Sequence, residues 1–281
     1  MMITKDYHVH ERHSGDAADA TALEYCRIAE DRGINEIGFC AHLIIAGSHQ
    51  YAGISPSAIP SLLKEIEIAQ ASTQVQLKIG LEVDYFPKEI RQLESIIDEY
   101  PFDFILGSLH FLQNYSVMRK RGLEAFCSTR TPKEFVTLYY HHWRKAIETG
   151  LFDVMAHPDY FRRSFHSSPL HLPPIDAYLP NLYRAIESLK SYNVGIEINA
   201  SGWRHGISDC YPTLQFLEVA HEVGVQTVII GSDSHSTFDL GRYVMKAVER
   251  LIQAGYSHLS LFEKRRNYPI ALSTIIDSSM K

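Results

Sequence analysis

Short apolar runs alternate with longer amphipathic ones along most of the chain. ITKDYHVH predicts a first strand. DATALEYCRIAEDRG, apolar at helical spacing and stopped by Gly33, predicts a first helix. INEIGFCAH predicts a second strand, and SPSAIPSLLKEIEIAQAS, with serine and proline near its start, a second helix. VQLKIGLEVDY, FDFILGSLHF, FDVMAHPDY, VGIEINAS and VQTVIIGSDSH continue the strands. PKEIRQLESIIDEY, TPKEFVTLYYHHWRKAIETG, IDAYLPNLYRAIESLKSYN, YPTLQFLEVAHEVG and LGRYVMKAVERLIQAG continue the helices. A longer irregular region follows the fourth strand, and the tail SHLSLFEKRRNYPIALSTIIDSSMK reads as a short strand and a last helix.

Seven βα units in regular order imply a parallel sheet with helices outside it, either a closed barrel or an open doubly wound sheet. No strand is followed by a GxGxxG or GxxxxGK loop, which lowers the nucleotide-fold reading. With no low-complexity linker, charge block or internal repeat, residues 1–281 are expected to form one domain.

Composition narrows the partners. A chain of 281 residues, 45% hydrophobic and 21% charged, can bury a substantial core. Its formal charge of −6 argues against a surface for long duplex nucleic acid, while leaving room for a local basic pocket. Cys26, Cys40, Cys127 and Cys210 form no CxxC pair, and free thiols in a reducing compartment are the expectation. The start MMITKDYHVH has no apolar core of a signal peptide, and no stretch approaches the roughly 18 apolar residues needed to cross a bilayer. A cytoplasmic protein with no membrane partner is expected.

The placement of the 15 histidines suggests chemistry. His8 and His10, two apart on the first strand, share one side of it. His42 closes the second strand, Glu82 lies near the end of the third, His110 closes the fourth and His157 the fifth. Asp233 and His235 close the seventh. Eight potential ligands thus gather at the carboxyl ends of six strands, the face on which barrel active sites are built. Neutral imidazole and carboxylate suit zinc, manganese and iron. Such groups are costly to bury unpaired, and cations relieve that cost. Asp16 has two readings, a further ligand or the N-cap of a helix starting near Ala18. His141 and His142 are mid-helix, and His221 and His258 read as surface residues. His49, His166, His171 and His205 lie in loops, and His13 is expected at the pocket rim or in solvent.

The order HxH, His, Glu, His, HPD and SDSH resembles the PHP (polymerase and histidinol phosphatase) superfamily, from about Asp6 to His235 and the helix after it. That resemblance implies a distorted seven-stranded βα barrel and two or three divalent ions (zinc, iron or manganese). Carried over by motif, His8, His10, Glu82 and Asp233 would hold one ion, Glu82, His110 and His157 a second, and Asp16, His42 and His235 a third. Asp233, His235 and Glu82 are assigned to catalysis as well. GLEVDY, AHPDYFRR and EINASGWRHGISDCYPT look most like the histidinol-phosphate phosphatases of the superfamily. Ala41 before His42 and the HFLQNYSVM segment depart from that pattern, and both bear on the substrate more than on the chemistry.

The resemblance implies hydrolysis of a small phosphate ester, with histidinol phosphate first, by attack of a metal-bound hydroxide. The absence of GxSxG or another nucleophile motif agrees with direct attack by water. Arg162 and Arg204 are expected to bind phosphate, with Arg163 as the alternative to Arg162. Asp6 and Asp159 are expected to orient ligand histidines. Competing readings are a phosphoesterase acting on nucleic-acid ends, a metal-binding regulatory protein without turnover, and an amidohydrolase-like hydrolase, whose carboxylated lysine has no counterpart.

Overall fold

The computed structural model describes residues 2–17, 19–47 and 50–277. The expectations for His49 and for a helix start at Ala18 lie outside the described residues. Seven parallel strands form one sheet: β1 (Lys5–Val9), β2 (Glu36–Leu43), β3 (Gln76–Asp84), β4 (Phe104–Ser108), β5 (Val154–Met155), β6 (Gly195–Asn199) and β7 (Val228–Gly231). They pair in sequence order, and the two edges meet through a parallel bridge between Val9 and Ser234. There His10 N–H donates to Ser234 O (2.8 Å) and Ser234 N–H to His8 O (3.2 Å). The result is a nearly closed barrel rather than an open doubly wound sheet.

The helices lie outside it: α1 (Ala22–Arg32), α2 (Ile59–Gln70), α3 (Ile90–Glu99), α4 (Lys120–Cys127), α5 (Pro132–Ile147), α6 (Arg162–Ser167), α7 (Leu179–Tyr192), α8 (Leu214–Val223) and α9 (Val244–Gln253). Their apolar faces and the outer strand faces form the larger core. Thr21 caps α1 in a capping box with Glu24, and Gly33 ends it in the left-handed conformation. The helix-cap reading of Asp16 is therefore ruled out: the chain reaches the helix five residues later. α4 falls in the region read as irregular.

The barrel interior is a smaller core of Tyr7, Cys40, Phe104, Leu106, Val154, Ala156, Ile229 and Phe262. Gly38 and Gly80 leave room there for the Phe104 ring. Above this layer the inward positions turn polar. His42 lies opposite Glu82 in register, and Asp84 opposite Ser108. In β1 the register shifts between Asp6 and Val9, so that Tyr7 joins the lower core and the next residue, His8, joins the polar layer. Gly231 is essential at the seam, because a Cβ there would overlap His8 Cβ and Glu197 Oε1.

The tail differs from expectation. It forms an antiparallel hairpin, β8 (His258–Glu263) and β9 (Arg266–Ala271), then a helix of only four residues. Lys264 and Arg265 turn it with positive φ, a geometry that basic residues do not advertise in sequence. Phe262 plugs the lower end of the barrel, and its N–H donates to Tyr7 Oη (3.1 Å). β5 is shorter than expected because His157 (φ 26°) and Asp159 (φ 60°) turn the chain at once. The four cysteines are unbonded, three of them buried. No helix among the described residues is long and apolar enough to cross a membrane.

Thr131 and Glu134 make a second capping box at α5, the longest helix against the barrel. Thr131→Ala should lower unfolding free energy by about 1 kcal/mol, read as a shifted urea midpoint at constant slope.

Candidate metal centre

The polar layer opens into a cavity of about 630 Å³ at the carboxyl ends of the strands. Asp16, His42, Glu82, His110, His157, Asp233 and His235 line it. His8 and His10 lie beneath them, fully buried. At the centre is Glu82, 1% exposed. Its Oε2 lies 3.3 Å from both His8 Nε2 and His10 Nε2 and 2.8 Å from His42 Nδ1. Its Oε1 lies 2.7 Å from His157 Nε2 and 3.4 Å from His110 Nε2, and accepts a hydrogen bond from Ser108. Asp233 Oδ1 lies 3.7 Å from His8 and His10. On the solvent side, Asp16 Oδ2 lies 3.5 Å from His42 Nε2 and 3.4 Å from His235 Nε2. All nine side chains named from the sequence converge here.

The far sides of four of the rings, those of His8, His10, His110 and His235, are held as well. Glu197 Oε1 lies 2.8 Å from His8 Nδ1, Ser14 Oγ 3.0 Å from His10 Nδ1 and Asp84 Oδ2 3.1 Å from His110 Nδ1. The Asp233 carbonyl lies 3.1 Å from His235 Nδ1. With those protons on Nδ1, the unprotonated Nε2 atoms face inward. His8 and His10 then oppose each other at 2.9 Å, and His110 and His157 at 3.3 Å. Facing lone pairs repel unless something positive sits among them. His42 Nδ1 adds to this: it is close to Glu82 yet makes no hydrogen bond. The donor set therefore fits divalent cations. His10, His42 and His235 group within ligand reach of one another, as do His8, Glu82 and His157, and His42, Glu82 and His110.

Electrostatics follow the crowding. Burial would lower His8, but Glu197, followed by Cys40, Glu82 and Asp233, holds its pKa well above the ordinary value. Burial and then the neighbouring His42 and His235 push His10 well below it. Burial would raise Glu82 and Asp233, but the surrounding imidazoles hold both well below the usual carboxylate range. Burial pushes Cys40, beneath His8, upward and keeps it a thiol.

Several expectations need correction. Asp159 does not orient a histidine: its Oδ2 accepts from Thr213 N–H (3.0 Å), and burial raises its pKa to about 7 against the opposing charge of Arg162. Asp6 touches no imidazole. It accepts from the Ser232 and Gly241 amides (2.9 Å each), fixing the loop that carries Asp233. Arg162 is absent from the cavity wall, its Nη1 spent on Cys210 O (2.8 Å). Arg163 and Arg119 line the cavity instead, together with Arg204. Arg204 also donates to Ser232 O (3.1 Å) and Asp233 O (2.6 Å), so it braces the ligand loop. His205, held near pKa 3 by burial and then by Arg163, is a neutral wall residue. His13 is off the cavity, against Glu11 and Ser61.

The main omission is Glu197. It is fully buried, takes His8 with one oxygen and the His157 amide (2.7 Å) with the other, and receives Asn199 Nδ2 (3.0 Å). An acid inside the apolar run VGIEINAS was the signal. Asp84, two residues beyond Glu82 on the same strand face, was a second. Glu197→Gln should weaken metal binding roughly 10- to 100-fold, measured by competition with a chromogenic chelator. Unchanged affinity would remove Glu197 from the support of the cluster.

A PHP domain model matches residues 6–201. A Deinococcus radiodurans protein named probable histidinol-phosphatase is 24% identical over 253 residues, covering 89% of this chain and 93% of its own. A probable phosphatase of Caldanaerobacter subterraneus subsp. tengcongensis is 28% identical over 250 residues, covering 86% and 80%. Among solved structures, the histidinol phosphate phosphatase of Lactococcus lactis subsp. lactis, in complex with zinc, L-histidinol and phosphate, superposes with a TM-score of 0.82. The two are 21% identical, and the match covers 95% of this chain and all of that one. With its family model spanning well over half its length and its barrel shared with that structure, the chain belongs to the PHP family.

Proposed function

We propose that this protein is a metal-dependent phosphomonoesterase that hydrolyses L-histidinol phosphate to L-histidinol and phosphate, a step of histidine biosynthesis. One observation carries the reading. Nine His, Asp and Glu side chains crowd a barrel mouth whose wall also holds Arg119, Arg163 and Arg204. The relatives named histidinol-phosphatase, which this chain matches over most of its length, support the choice of ester.

His8, His10, Glu82 and Asp233 would hold one ion, Glu82, His110 and His157 another, and Asp16, His42 and His235 a third. Two or three zinc, iron or manganese ions are proposed. Ions held there supply Lewis acidity toward phosphoryl oxygens and a nucleophile from water near neutral pH. The chain's own residues do the rest. Arg163, with Arg119 beside it, binds phosphoryl oxygens, since a guanidinium fork suits phosphate. Arg204 holds the backbone of the Asp233 loop in place. No Ser, Thr, Cys or Lys lines the described cavity, so no hydroxyl of Ser or Thr, thiol or amine competes with water there. Tyr51, Phe111 and Tyr160 offer aromatic walls to an imidazole, and Asp239 a carboxylate to an ammonium group. The reaction needs no membrane, and residues 1–281 act as one domain in the cytoplasm.

A panel of histidinol phosphate, nucleotides and a single-stranded oligonucleotide, assayed with metal analysis of the same sample, tests the assignment. Histidinol phosphate should be hydrolysed fastest, and a preference for the oligonucleotide would overturn it. Asp233→Ala and His157→Ala should each reduce hydrolysis by at least about 100-fold, beyond the range for outer partners, with the circular dichroism of a folded protein. Arg163→Ala should raise KM roughly tenfold, the equivalent of one lost charge-assisted hydrogen bond. Arg162→Ala should leave KM unchanged.

A further inference from the structure

Outside the central cluster, one other group of metal-ligating side chains comes together among the described residues: Glu11, His13 and Glu65. Glu11 follows His10 in the chain, yet it does not line the catalytic cavity. It is fully buried, and its carboxylate is aimed at His13. Oε2 accepts from the His13 amide (3.1 Å) and lies 2.7 Å from His13 Nδ1. Its other oxygen, Oε1, has no hydrogen-bond partner, a costly state for a buried carboxylate. Across the gap, Glu65 Oε2 lies 3.8 Å from the same Nδ1.

The ring orientation suits a ligand. His13 Nε2 lies 3.3 Å from Ser61 Oγ. When Nε2–H donates to that hydroxyl, Nδ1 turns its lone pair on both carboxylates. The separations of 2.7 and 3.8 Å are within 0.1 Å of the span among the central ligands, from 2.7 Å (His157 to Glu82) to 3.7 Å (His10 to Asp233). Charge agrees. Two carboxylates face one fixed cation, Arg12, whose Nε lies 2.6 Å from Glu65 Oε2 and whose side chain is half exposed. Arg12 and the Ala22 amide each take one position on Glu65, leaving lone pairs free.

We propose that Glu11, His13 and Glu65 form a second, structural site for a divalent cation of the zinc class, separate from the central cluster. It joins the segment after β1 to α2. The described residues of that segment, 11–17 and 19–21, have no regular secondary structure and include Ser14 and Asp16. Ser14 Oγ pairs with His10 Nδ1 and accepts from the His42 amide (3.1 Å), so a clip on this segment steadies both histidines.

Elemental analysis of zinc-loaded full-length protein, freed of excess metal by gel filtration, tests the site. His13→Gln and Glu65→Gln should each carry one ion fewer per chain than the wild type, with unchanged circular dichroism. Since loosening Asp16 could also release an ion, the comparison is repeated in an Asp16→Asn, His235→Asn background. His13→Gln should remove one further ion there too. Equal stoichiometry with and without His13→Gln in that background would overturn the proposal. So would a zinc-induced rise in Tm that is identical in wild type, His13→Gln and Glu65→Gln. Neither measurement depends on which ester the protein hydrolyses.

Discussion

The whole upper half of this barrel depends on one carboxylate. Glu82 lies within 3.4 Å of five imidazoles and is shut off from water. A lone carboxylate in such a place would take a proton, and five clustered imidazoles would repel as they charged. Together the two tendencies offset each other, because the ionised carboxylate and the imidazoles that charge beside it attract. The carboxylate's pKa is held down, that of His10 is forced down, and those of His8 and His42 are held up. The remaining conflict, nitrogens facing nitrogens, is one that a divalent cation would relieve. The upper interior is thus a donor set with room for positive charge that the chain does not itself carry.

That arrangement constrains the surroundings. An imidazole can present Nε2 inward only if something outside accepts its Nδ1 proton, and each acceptor must be rigid. Glu197, Asp84 and Ser14 meet the requirement from β6, from β3 and from the segment after β1. Glu197 serves two strand ends at once, since its second oxygen fixes the amide of His157, a residue with positive φ. Asp233 is also left-handed (φ 55°), and Arg204, Asp6 and Ser201 hold its loop. The two ligands with positive φ are thus both held by buried partners, as expected when strain is kept for function.

The βα alternation and the convergence of nine ligands were legible in the sequence because both depend on local position. A residue at a strand's carboxyl end faces the barrel mouth whatever its partners are. Partner identity is a different matter. Whether Asp6 or Glu197 meets His8 depends on the register shift in β1, which no periodicity reveals. Adjacent Arg162 and Arg163 could not be ranked from sequence, because the turn after His157 decides which one points into the cavity. The hairpin after Ser257 is not legible in the sequence because its turn uses Lys264 and Arg265 where Gly or Asn would be the signal. No motif in the sequence uses His13, and only the fold brings Glu65 to it.

The cluster is also asymmetric in depth, and this bears on how an ester could approach. His8, His10 and Glu82 are sealed, while the side chains of Asp16 and His235 are 47% and 30% exposed. Ligands at the sealed end can change only with the barrel, but those at the open end can exchange with solvent and with the substrate's own oxygens. Arg119 and Arg163 sit on the cavity wall together with that open end. A phosphate entering there meets guanidinium groups and the exposed ligands first, and the deep carboxylate only through them. The same exposure leaves Asp16 held by little besides its two histidines and its own segment. The placement of residues 11–17 is then part of the site, and whatever ties them to α2 contributes to the geometry at the open end.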